Sequence, residues 1–102
     1  MFEELGTAIE TLDIPLDGDA LAAAIALRDR LDARISDAVN AYDTASLWEL
    51  EGATSMTGWL ADRAGMARAR AAATAARARK LAQLPLTSGA WRDGALSSGQ
   101  VE

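Results

Sequence analysis

The side chains best placed to do chemistry in this sequence are cationic, and they gather late in the chain. Arg63, Arg68, Arg70, Arg77, Arg79 and Lys80 all lie between positions 63 and 80. Guanidinium and ammonium groups at helical spacing suit phosphate oxygens, and arginine also pairs bidentately with guanine edges. Arg63, Arg68, Arg70, Arg77 and Lys80 are therefore the candidate nucleic-acid contacts. No aromatic residue is interleaved among them, which argues against a single-strand stacking platform. The plainer alternative is that these cations are solvated or paired with acids of the same chain. On a helical wheel Arg70, Arg77 and Lys80 form one cluster, with Arg68 and Arg79 on nearly the opposite side. The helix therefore has no single basic face.

Other chemistry finds little support. There is no histidine and no cysteine. The commonest general base, the commonest zinc ligand and any disulfide framework are thus absent. Ser97 and Ser98 have no histidine to activate them, and a Ser–Lys arrangement using Lys80 is only conceivable. Asp29, Asp32 and Asp37 read as a solvated helix face. No catalytic residue, metal site or cofactor is expected.

The elements that must position the cations are helical. The sequence has 102 residues and is 50 % apolar, and about half of that share is alanine. Alanine favours helix and packs helices closely, but it leaves few large residues for a core. The core is therefore expected to be completed by a partner subunit or by further chain. Charge divides along the sequence. Residues 1–54 hold twelve acids and three arginines (−9), and residues 55–102 hold three acids and seven bases (+4), giving −5 in all. This split predicts an acidic helical scaffold over 1–54 and a basic half over 55–102.

Phe2, Leu5, Ile9 and Leu12 recur at three- and four-residue steps and predict a short amphipathic helix, closed by Ile14-Pro15. Asp17 or Asp19 can cap a second helix from about Ala20 to Tyr42. Its apolar stripe holds Leu21, Ala24, Ile25, Leu27, Leu31, Ile35, Ala38, Val39 and Tyr42. Arg28 intrudes on that stripe and can extend its head outward. The two helices are read as a hairpin over about 2–12 and 20–42, possible ground for a homodimer. Trp48 reads as a core plug. Thr54 or Ser55 caps the next helix, which carries Trp59 and Leu60. Gly58 within it would let another backbone come close, and Gly65 supplies a turn. A basic, alanine-rich helix follows from about Ala67 to Gln83 and stops at Leu84-Pro85. Trp91 faces inward before Gly94. Ser97 to Gln100 has capping-box spacing just before the sequence ends, which suggests a chain cut short. The expected class is all-α, with a helix-turn-helix-like second half. No apolar run approaches membrane-spanning length and the acidic N-terminus is unlike a signal peptide, so a cytoplasmic protein is expected.

One ordered set of residues carries a resemblance. It runs Trp48, Gly52-Ala53, Ser55, Trp59-Leu60-Ala61, Arg63 and Gly65, then the Ala-Arg helix. Leu81-Ala82, Leu84-Pro85, Gly94-Ala95-Leu96-Ser97 and Gln100-Val101 follow. This resembles the DUF222, or 13E12 repeat, family of actinobacteria, from about Leu21 onward and most tightly over 52–101. The resemblance implies a domain that precedes an HNH nuclease domain. An HNH site needs histidines for its metal and its water, so nuclease activity is not expected in these residues. A looser resemblance, to the helix-turn-helix region of ParB-type proteins, implies turn roles for Ala61 and Gly65. It also implies a recognition helix from Met66 to about Arg77, with Arg68 and Arg70 solvent-facing at its start. The expectation is a non-catalytic DNA-binding module. The alternative is a helical oligomerisation or protein-interaction domain whose arginines pair with Asp29, Asp32, Asp37 or Glu51.

Overall fold

A computed structural model describes all residues from Met1 to Glu102. Five α-helices follow one another with no strand: α1 (Glu3–Glu10), α2 (Gly18–Thr44), α3 (Met56–Asp62), α4 (Arg68–Ala82) and α5 (Pro85–Arg92). Two 3₁₀ turns, Leu47–Glu51 and Ser98–Gln100, complete the chain. The all-α class expected from composition is the class observed.

The local signals act where the sequence puts them. Asp17 starts α2, its Oδ2 accepting from the Ala20 amide at 3.1 Å. Ser55 starts α3, its Oγ accepting from Gly58 N at 3.0 Å. Each satisfies an amide that the first helical turn would leave without a partner. A Cβ built on Gly58 would meet only that Ser55 Oγ, at 3.3 Å, so no second backbone approaches there. Gly65 adopts φ +70°, a left-handed conformation that turns the chain between α3 and α4 at no steric cost. Pro85 ends the run of α4 and opens α5 as its first residue. Ser97 and Gln100 form a complete reciprocal capping box.

α2 is the spine. α4 and α5 pack along it, and α3 packs on α4. One apolar cluster joins Val39, Met56, Leu60, Ala71, Ala75 and Ala78, flanked by Tyr42, Trp48, Trp59, Ala61 and Met66. A second joins Ala33, Leu81 and Trp91, flanked by Leu96 and Val101. Acidic and basic halves thus share both clusters. The wall between α2 and α4 is mostly alanine, so close backbone approach rather than bulky interdigitation holds it.

Two expectations are corrected. The first concerns which face of α2 is buried. Of the expected stripe only Val39 is buried, and Asp29, Ala33 and Ser36 are buried beside it, whereas Leu27, Leu31 and Ile35 remain 61 %, 42 % and 45 % exposed. The alanine face of α4 needs small neighbours, and Ser98 and Arg92 need acceptors. The small and polar side of α2 supplies both. Asp29, Asp32 and Asp37 accordingly do not form a solvated face: Asp29 is buried, Asp32 accepts from Ser98 and Asp37 from Arg92.

The second correction concerns the hairpin. α1 buries no residue, and every position from Met1 to Asp19 is exposed. α1 is in none of the packed helix pairs, and nothing in the chain covers the stripe formed by Phe2, Leu5, Ile9 and Leu12. No helix is long and apolar enough to cross a membrane.

Candidate nucleic-acid interface

α4 buries Ala71, Ala75, Ala78 and Leu81. At 3.6 residues per turn, the opposite side is a ridge of exposed Ala69, Ala72, Ala73 and Ala76, with Lys80 at its end. Arg68 and Arg79 flank the ridge on one side, Arg70 and Arg77 on the other. The two basic clusters of the helical wheel are therefore the two margins of one outward surface.

These cations differ in their freedom. Arg68, Arg70 and Lys80 are exposed and none has an acid within ion-pair distance. Arg63 lies 3.6 Å from Glu51. Arg79 Nε donates to Asp43 Oδ2 at 2.8 Å, and Asp43 also accepts from Trp48 Nε1 at 3.1 Å. Trp48 is thus half-buried with its indole held by an acid. Arg77 is the most enclosed: its guanidinium stands 4.8 Å from the Trp91 ring centroid, and Glu102 lies 3.8 Å away. Its Nε is buried with no hydrogen-bond partner. Such contacts hold Arg77 in place and reduce its availability to a ligand. Between Arg70, Thr74, Arg77, Lys80 and Glu102 lies an open groove of about 450 Å³.

Two networks support the surface. Trp91, fully buried, donates from Nε1 to Ser98 Oγ at 3.2 Å, and Ser98 Oγ donates to Asp32 Oδ2 at 3.0 Å. Burial pushes the neighbouring Asp29 carboxyl up, but the Arg28 guanidinium, which donates at 3.1 Å, and the nearby Ser98 backbone outweigh it and leave the group below its ordinary value. Around Glu51, Trp59 Nε1 and the Tyr42 hydroxyl both donate to Oε2. These donors, Trp59 first, hold the Glu51 carboxyl low, with Arg63 adding to the effect. Burial and the Glu51 carboxylate raise the Tyr42 hydroxyl. The Tyr42 and Trp59 rings stand 4.9 Å apart at 46°. Glu51 therefore ties the 3₁₀ turn to α3, and Arg63 belongs to this network rather than to the ridge.

No group of three or more acids is placed to hold a metal ion. Sequence reasoning brought the five candidates to one half of the molecule; the structure gathers Arg68, Arg70 and Lys80 as free groups and engages Arg63 and Arg77. The Trp91–Ser98–Asp32 relay carries no sequence signal of its own beyond an inward-facing Trp91 and the capping-box position of Ser98.

Fold and surface together define an all-α domain built on one long helix, with a basic helix packed along it. A family model described as a domain of unknown function, DUF222, matches residues 18–102. The chain belongs to that family, and the match begins at the first residue of α2. Neither a curated protein nor a solved structure matches the chain.

Proposed function

We propose that this domain is a non-catalytic DNA-contacting module, with α4 as the element that meets the duplex. The carrying observation is the α4 surface: an alanine ridge whose three cations, Arg68, Arg70 and Lys80, have no acid partner. Small side chains let a helix backbone come close to a groove, while flanking cations reach phosphates. Ser55, Gly65 and the α3–α4 packing support reading the two helices as a helix-turn-helix-like frame for that approach. The resemblance to domains that precede HNH nucleases supports a role as the targeting part of a cytoplasmic enzyme whose chemistry is done elsewhere. The looser resemblance to ParB-type proteins points to the same helix.

A helical protein-interaction domain is the second reading. It is favoured by the pairing of Arg63, Arg79 and Arg92 with Glu51, Asp43 and Asp37, which neutralises much of the basic half. Titration of duplex DNA with the wild-type chain and with Arg68→Ala/Arg70→Ala at two salt concentrations separates the readings. The first requires salt-dependent binding that the double variant weakens. The second requires none.

A further inference from the structure

The largest feature without a use is apolar. Sixteen large hydrophobic residues are exposed, and twelve of them precede position 36. The accessible surface is 7239 Å² for a chain of 10.7 kDa. A compact monomer of that mass exposes about 5,500 Å². The excess is about 1,700 Å², and α1 and the side of α2 that carries Leu27, Leu31 and Ile35 are the exposed apolar elements. A standard two-chain interface removes about 800 Å² from each partner, so the excess is ample for one.

The bare side of α2 has an order of its own. Ala24, Leu27, Leu31, Ile35 and Ala38 fall on one stripe, at steps of three, four, four and three residues. The steps read the same from either end, with Leu31 at the centre. Residue sizes mirror too: alanine at both ends, a branched aliphatic residue inside each, leucine in the middle. A stripe symmetric about its centre is self-complementary under a two-fold axis, and an isologous interface requires that property. Two antiparallel copies would set Leu31 against Leu31, Leu27 against Ile35 and Ala24 against Ala38. The helices that build the core occupy the opposite face of α2, so this pairing leaves α4 and its cations uncovered.

We propose that the occupant of this stripe is a second copy of the chain, α2 pairing antiparallel with α2 across an axis at Leu31. The dimer is independent of DNA contact by α4, and either can fail alone. Besides stability, it gives the molecule two copies of the α4 surface in fixed relation.

The test uses the full chain. Sedimentation equilibrium from low to tens of micromolar reads the mass of the wild type and of Leu31→Glu. Leu31 is 42 % exposed within the chain, so the variant keeps the helical circular dichroism of the wild type. The expected result is twice 10.7 kDa for the wild type and a single chain for Leu31→Glu. A wild type that stays monomeric throughout, as α1 folding back on its own α2 would produce, overturns the proposal. So does a Leu31→Glu variant that remains dimeric.

Register is read by crosslinking, since the natural chain has no cysteine. With a short bismaleimide, Leu31→Cys links to itself, and Ala24→Cys links to Ala38→Cys in a mixture. Ala24→Cys alone does not link, because its two copies lie about 21 Å apart along the axis at 1.5 Å per residue. Efficient self-linking of Ala24→Cys would show a parallel pair and refute the antiparallel arrangement.

Discussion

Adjacent alanines on α4 provide a sharp test of how the helix is seated. Ala75 is 1 % exposed in the wall against α2 and α3, and Ala76 lies on the outward ridge. Leucine has nearly the helix propensity of alanine, so Ala75→Leu and Ala76→Leu differ in packing rather than in helix formation. At Ala75 three added carbons must displace the alanines and Met56 around them. Overpacking of this kind costs about 1–3 kcal/mol. For a domain of about 100 residues that lowers Tm by roughly 4–24 °C, at about 4–8 °C per kcal/mol. At Ala76 the added carbons enter solvent, and the change stays within about 0.5 kcal/mol. Thermal unfolding followed by circular dichroism measures both. The same Ala76→Leu protein, folded as the wild type, is expected to bind duplex DNA more weakly because the ridge is no longer low. Equal melting temperatures for the two variants would refute the assigned seating of α4. So would a larger loss at Ala76.

Other outcomes follow from the supporting contacts. Trp91→Ala empties the second cluster and removes the donor to Ser98, and a loss of about 3–5 kcal/mol is expected by denaturant titration. Gly65→Ala places a side chain at φ +70° in otherwise open space, so about 1–2 kcal/mol of backbone strain is expected without any steric clash. Asp29 and Glu51 have folded-state pKa values below their ordinary ones of 3.8 and 4.5. Their contribution to stability is therefore full above those values and is lost as pH falls through the lower folded ones. Arg28→Ala removes the guanidinium that donates to Asp29 at 3.1 Å, so its unfolding midpoint should depend less on pH below about 3.8, the ordinary value of that carboxyl, than that of the wild type. An unchanged slope in a pH series of melts would show that Arg28 does not act on that carboxylate.

Much of the fold is legible in the residues. The second helix is expected over about 20–42 and runs Gly18–Thr44; the basic helix is expected over about 67–83 and runs Arg68–Ala82. Asp17, Ser55, Gly65, Pro85 and the Ser97–Gln100 box announce those boundaries because each settles a local backbone requirement. The orientation of α2 was not legible. Apolar periodicity identifies a stripe suited to leaving water, but it does not say whether a neighbour within the chain covers it. Here the chain's own helices take the side of Asp29, Ala33, Ser36 and Val39, where small and polar groups suit α4, Trp91 and Ser98. The stripe through Leu31 and that on α1 stay bare. The cations show the same limit. Spacing gathered Arg63, Arg68, Arg70, Arg77 and Lys80, but only packing reveals that Glu51 takes Arg63 and Trp91 takes Arg77.

The central claim is that α4 meets DNA through Arg68, Arg70 and Lys80, and salt dependence of duplex binding addresses it directly. Three phosphate contacts give a slope of about −2.7 in log K against log salt, so affinity should fall about 40-fold between 50 and 200 mM. Arg68→Ala/Arg70→Ala should leave a slope near −0.9 and a fall of only about 3.5-fold. Absence of binding by the wild type at 50 mM, or a slope that the double substitution leaves untouched, would contradict the account.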